Sequence, residues 1–146
     1  MVLHHACCVE LDGAGVLIFG ESGAGKSDLA LRLIYGGAVL VADDCVETRQ
    51  EGTDGALVAF APENICGLME VRGLGVVKMP YKEKTTVKLK VYLSSFDKID
   101  RMPSEVEPAL LAGRILEIRI NAFESAAVEK IKTALAVVDG KIGLAQ

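Results

Sequence analysis

Val16-Leu17-Ile18-Phe19-Gly20-Glu21-Ser22-Gly23-Ala24-Gly25-Lys26-Ser27 decides how this chain is read. The first four residues are apolar on both faces, as in a strand buried within a sheet. Gly20 to Ser27 then fits G-x-x-x-x-G-K-[ST] at every fixed position. Residues 26–35 carry Leu29, Ala30, Leu33 and Ile34 on a helical period, and Gly36-Gly37 stops it. A glycine-rich turn between a buried strand and a helix is built to cradle phosphate. Its glycines let the backbone wrap closely, its N–H groups point inward, and the helix N-terminus adds partial positive charge. Gly20, Glu21, Ser22, Gly23, Ala24 and Gly25 are the expected cradle. Lys26 is expected on the β- and γ-phosphates of ATP and the Ser27 hydroxyl on Mg²⁺.

The flanks extend this frame. Residues 6–12 read as a strand and Asp12-Gly13-Ala14-Gly15 as a turn. Ala38 to Ala42 is a second buried strand, stopped by Asp43-Asp44. The order β-turn-β-loop-α-β opens an α/β nucleotide-binding domain. Further on, strands are predicted over 45–50, 56–60 and 87–92, with Asp54-Gly55 turning between the first two. Pro62 opens a short helix over 63–67. Residues 70–79 are an apolar stretch holding Gly73 and Gly75. Residues 80–86 read as an exposed loop, 94–105 as irregular and 109–120 as a short strand pair. An amphipathic helix over 124–138 puts Val128, Ile131, Leu135 and Val138 on one face.

Composition narrows the function classes. The 146 residues fit one domain, and 51% hydrophobic with 25% charged residues supports a real core. A net charge of -4, no basic stripe, no Trp and 5% aromatics speak against a nucleic-acid partner. No apolar run approaches the ~20 residues that span a bilayer, and Met1 to His5 lacks the basic start of a secretory signal. No membrane contact and a cytoplasmic location are expected. Cys7, Cys8, Cys45 and Cys66 form no C-x-x-C pair. Cys7 and Cys8 fall on opposite strand faces, so the set reads as reduced, mostly buried thiols.

Other residues invite chemistry. Asp43 and Asp44 end a buried strand beside the loop, where one can hold Mg²⁺ and the other take a proton. Two such neighbours in a dry site would raise the pair's proton affinity. Spacing alone does not divide the roles. His4 and His5 read as surface residues just before the first strand. Glu70 and Arg72 read equally as a metal ligand with a phosphate contact and as a solvated pair. Arg101 sits in a polar loop.

Taken together, His5, Gly15-Val16-Leu17-Ile18, the loop with Lys26, Ala42-Asp43-Asp44 and Glu70-Val71-Arg72-Gly73-Leu74-Gly75 resemble the HPr kinase/phosphorylase family. Its members phosphorylate a serine on the phosphocarrier protein HPr. The resemblance implies a fold like that of phosphoenolpyruvate carboxykinase, a mixed β-sheet with flanking helices. It implies that Lys26 binds phosphate and that Asp44, with Asp43 beside it, is base in one direction and acid in the other. It implies that His5 assists that carboxylate, that Ser27 and Glu70 are the Mg²⁺ positions, that residues 70–79 serve both reactions and that Arg101 is a catalytic arginine. The chain is similar to the short alphaproteobacterial form. Residues 1–146 would then be a single catalytic domain without an N-terminal regulatory domain. Ile118 to Phe123 lacks the Arg-Pro-Gly-Arg segment tied to dephosphorylation, so the resemblance is fuller for the kinase than for the phosphorylase. A hexamer is the family's assembly. The competing readings are a non-catalytic ATP-sensing module and a small-molecule kinase. Against the latter, the 80–86 loop is short and no arginine cluster marks an anionic substrate.

Overall fold

In the computed structural model, which describes residues 1–101 and 115–145, β1 (Val2–Leu11) is the organising strand. Its second half runs antiparallel to β2 (Ala14–Phe19), from Ala6 opposite Phe19 to Leu11 opposite Ala14. Its other edge is shared in sequence. Cys8 to Glu10 pair with β3 (Val39–Ala42), and Val2 to His5 pair with β4 (Cys45–Glu51). The chain changes partner at Asp43-Asp44, where Asp44 takes a left-handed backbone with φ 68 and its carbonyl accepts the Ala6 amide.

β5 (Ala56–Phe60) returns antiparallel to β4, as the Asp54-Gly55 turn predicts. β6 (Leu68–Val71) and β7 (Gly75–Lys78) form a separate hairpin. β8 (Thr85–Leu93) runs parallel to β2 and to β9 (Leu116–Ile120), and its first residues pair with β5. The pairing is therefore a closed circuit: β1 to β2, to β8, to β5, to β4 and back to β1.

Two cores follow from the strand alternation. On one face Cys7, Val9, Val16, Ile18, Leu89 and Val91 meet α1 (Lys26–Tyr35) through Leu29 and Leu33, and α2 (Ala127–Val138) through Ile131. On the other, Ala6, Cys8, Leu17 and Val87 meet Val46 of β4 and Ala59 of β5. Each large aliphatic side chain buried this way contributes about 1.5–3 kcal/mol. Cys7 and Cys8 fall on opposite faces, as expected. The expected mixed α/β architecture stands, with α1 and α2 on one face.

Several boundaries differ. β1 begins at Val2 rather than residue 6, so His4 and His5 lie within the strand. The extension is made by pairing with β4, and exposed residues there leave no alternation to read. The 70–79 stretch is most of a hairpin whose side chains are largely exposed. Thr85 and Thr86 belong to β8 rather than to a loop. The turn after Pro62 is a single 3-10 turn, Glu63–Ile65. The terminal helix starts at Ala127, with Ala127, Ile131 and Ala134 as its buried stripe and Val128, Leu135 and Val138 beside it. Of the strand pair predicted over 109–120, β9 is present, and the rest falls in 102–114, outside the described residues. Among the described residues no helix is long and apolar enough to cross a membrane.

Candidate functional site

The glycine-rich loop leaves the end of β2 and enters α1 directly at Lys26. Gly25, the residue before the helix, has φ 96, and no side chain caps the first turn. The free N–H groups there face outward from a helix N-terminus, the arrangement that attracts anions. A Cβ at Gly25 would stand 2.9 Å from the Ala122 Cβ and 3.1 Å from the Phe123 ring. The segment after β9 thus holds the loop, and only glycine fits. The Lys26 ammonium lies across the loop and donates to the carbonyls of Gly20 at 2.6 Å and Glu21 at 3.2 Å. These loop residues are the ones the motif nominates.

Asp43 is the hub beneath the loop and is only 8% exposed. Its Oδ1 accepts the Ser27 hydroxyl at 2.7 Å and the Cys7 thiol at 3.2 Å. Its Oδ2 accepts the backbone N–H of Glu70 at 3.0 Å. One carboxylate thus joins α1, β1 and β6. Burial, then the charge of Asp43, pushes the Cys7 thiol up to about 12, so it stays protonated and donating. Ser27 Oγ and the Asp43 carboxylate are hard oxygen donors beside the phosphate-attracting loop, a set that suits Mg²⁺ held jointly with nucleotide phosphates.

Asp44 enters different surroundings. Its side chain is 71% exposed and lies 4.0 Å from His5 Nδ1, itself 85% exposed. The two neighbouring carboxylates therefore do not share a dry site, contrary to the expectation of a buried pair. One is satisfied inside the protein and the other faces solvent beside an imidazole. The left-handed backbone at Asp44 makes this division possible.

The remaining nominated residues are placed as follows. Glu70 reaches the hub through its amide, while its side chain is exposed and makes no hydrogen bond to Ser27. Arg72 is exposed and makes no ion pair with Glu70. Arg101 is exposed at the margin of the described residues, and among those residues nothing ties it to the loop. His4 is structural. It bonds to Thr48 Oγ1 at 2.9 Å and sits edge-on to Phe19, and burial followed by the charge of Lys90 lowers its pKa.

Arg119 was not singled out by sequence. Its guanidinium lies 5.9 Å from the Tyr92 ring, which stacks on Phe19 at 5.1 Å. These residues and Glu21, Ala24 and Phe123 line a cavity of about 610 Å³ alongside the loop. The only signal was one Arg in the alternating run Ile118-Arg119-Ile120, which also fits an ordinary strand face.

Residues 1–138 match the family model described as the HPr Serine kinase C-terminal domain. This chain belongs to that family. Among proteins similar to this chain, the HPr kinase/phosphorylase of Geobacillus sp. (strain WCH70) is 56% identical over 75 residues, 51% of this chain and 24% of that relative. The HPr kinase/phosphorylase of Bacillus subtilis (strain 168) is 55% identical over 75 residues, with the same shares. The matched segment thus spans about a quarter of those relatives' length. The solved structure of the Hpr(Ser) kinase/phosphatase from Coxiella burnetii superimposes with a TM-score of 0.73, covering 97% of this chain and 91% of that one at 24% identity. At that identity the likeness is one of fold.

Proposed function

We propose that this chain is an ATP- and Mg²⁺-dependent protein-serine kinase acting on an HPr-type phosphocarrier protein. Family membership supports the class. The observation that carries the mechanism is the division of labour at Asp43-Asp44. A buried carboxylate is bonded to the loop serine at 2.7 Å, and the next carboxylate is exposed beside His5.

The loop 20–25 and the uncapped first turn of α1 bind the β- and γ-phosphates as a P-loop, and Lys26 exchanges its loop carbonyls for them. Ser27 and Asp43 would hold Mg²⁺, with the Glu70 carboxylate as a further oxygen donor and Arg72 as a phosphate contact. An ion held there would offset negative charge on the nucleotide phosphates. Asp44 accepts the proton of the attacking serine hydroxyl. His5 holds that carboxylate in place. Exposure suits this pair, because the hydroxyl arrives on another protein. An ATP sensor needs the loop but neither Asp44 nor His5. Arg101 is taken as the catalytic arginine that, with Lys26, stabilises charge on the transferring group, and Arg119 with the cavity beside Tyr92 lies on the substrate side.

The same reading takes residues 1–146 as one catalytic domain of the phosphoenolpyruvate carboxykinase-like P-loop type, cytoplasmic and assembled as a homo-oligomer, a hexamer by family resemblance. The kinase direction is the one proposed, and phosphorolysis is a separate readout.

The test is intact-mass spectrometry of an HPr-type phosphocarrier after incubation with this chain, Mg²⁺ and ATP. One added phosphate, located on serine and absent with Lys26→Ala, is expected. Nucleotide binding with no added phosphate would overturn the HPr-kinase reading in favour of a different protein substrate or a non-catalytic sensor.

A further inference from the structure

His5 and Cys45 are direct partners in the antiparallel register of β1 and β4. Directly opposed residues project from the same face with their Cβ atoms about 4.5–5.5 Å apart. Asp44 precedes Cys45, and its left-handed backbone delivers its carboxylate to the same place. An imidazole nitrogen, a carboxylate oxygen and the Cys45 sulfur accordingly lie within 4.8 Å of one another. Two of the three residues are exposed and Cys45 is half-buried, so the group is open to solvent.

We propose that His5, Asp44 and Cys45 form an inhibitory site for a borderline-soft divalent cation, with Zn²⁺ as the fitting ion. The donor set decides the class. Nitrogen, oxygen and thiolate together suit Zn²⁺, whereas Mg²⁺ takes oxygen ligands and keeps its waters. Zinc bond lengths put tetrahedral ligand atoms roughly 3.3–3.8 Å apart. The observed spread closes to that by about an ångström, through side-chain rotations that exposed residues make freely. The thiol proton passes to solvent as the sulfur becomes a ligand, and no oxidation is involved. Three protein ligands leave the fourth position to water.

The inhibitory consequence rests on the kinase reading above, whereas the site itself does not. Zinc bound here occupies the carboxylate proposed to accept the hydroxyl proton and the imidazole that steadies it. It leaves the Ser27–Asp43 pair untouched. Inhibition is therefore not relieved by more ATP or more Mg²⁺. Cys45 has no part in phosphate transfer, so it separates the two functions.

The probe is Co²⁺ titrated into the whole chain, followed by its absorption spectrum. One equivalent should produce a thiolate-to-cobalt charge-transfer band and the intense visible bands of four-coordinate cobalt, both bleached by Zn²⁺. Cys45→Ser should abolish the charge-transfer band, and Cys66→Ser should keep it. In the transfer assay with excess Mg²⁺, Cys45→Ser should keep basal activity. It should need more zinc for half-inhibition by a factor beyond the ~10–100-fold that loss of an outer-sphere partner costs. No charge-transfer band in the unmodified chain, a band that survives Cys45→Ser, or equal zinc sensitivity of the two would overturn the proposal. A specific band in a chain that transfers no phosphate would uphold the metal site and overturn the kinase reading alone.

Discussion

Ser27 donates its hydroxyl to Asp43 Oδ1 across 2.7 Å, tying the first turn of α1 to the end of β3. The same carboxylate takes the Cys7 thiol and the Glu70 amide. Removing it strands three donors. Asp43→Ala should therefore lower stability by about 1–3 kcal/mol for each buried donor that water cannot reach, besides ending transfer. Asp43→Asn keeps one acceptor oxygen and turns the other into a donor, so it should fall between the two. Urea midpoints measure this. An Asp43→Ala chain as stable as the parent would remove Asp43 from its place as hub.

Gly25 and Gly23 both have positive φ, at 96 and 85. Their surroundings differ. A Cβ at Gly25 meets Ala122 and Phe123, and one at Gly23 meets nothing within 4 Å. Gly23→Ala should cost only the backbone strain, about 1 kcal/mol. Gly25→Ala adds a collision and should cost about 3 kcal/mol. The difference is read from thermal midpoints of the two variants. Equal losses would mean that the segment after β9 does not hold the loop.

Asp44 has an unusual backbone for a residue with a side chain, φ 68. Asp44→Gly and Asp44→Ala both delete the carboxylate, and both should abolish transfer while leaving nucleotide binding intact. They should differ in stability, with the glycine variant ahead by about 1 kcal/mol, because alanine tolerates the left-handed region poorly. Calorimetry of the pair decides it. Residual transfer by either variant would assign the proton acceptor elsewhere.

Burial pushes the Cys7 thiol up to about 12 and the Cys8 thiol higher still, the latter helped by the charges of Cys7 and Glu10. An unfolded cysteine ionises near ~8.5. Above that value the unfolded chain releases protons that the folded chain retains. Stability is thus full below about pH 8.5 and falls as pH rises toward 12. Cys8→Ala removes one of the two contributions. Its urea midpoint should drop less between pH 7 and about pH 10 than the parent's, even though the variant starts lower. An identical drop in both would show that the Cys8 thiol does not drive the alkaline loss.

Much of this frame is legible in the order of the amino acids alone. The buried run Val16 to Phe19, the motif through Ser27 and the period of Leu29, Ala30 and Leu33 mark β2, the loop and α1, because each depends on neighbours within a few positions. Asp43 and Asp44 stand out by their place at a strand end. The rest depends on register. His4 and His5 belong to β1 only because Cys45 to Thr48 pair with that end, and no local pattern records a partner so distant. The β6–β7 hairpin hides for the opposite reason, since its mostly exposed side chains leave no alternating signal. The different surroundings of Asp43 and Asp44 turn on a single backbone angle. Arg119 reaches the cavity beside the loop through parallel pairing of β9 with β8, a tertiary choice invisible in a short run of residues.

The closed circuit of strands also bears on how the chain is made. β1 and β2 can pair as soon as both have left the ribosome, and β4 and β5 can follow. The far side of β2 waits for β8, and so does the far side of β5. Until Thr85–Leu93 emerges, the growing chain carries two unpaired strand edges with apolar faces beside them. Such edges recruit other chains. The vulnerable stage in the life of this protein is therefore a particular span of its synthesis, and slow translation through the β6–β7 region would lengthen it.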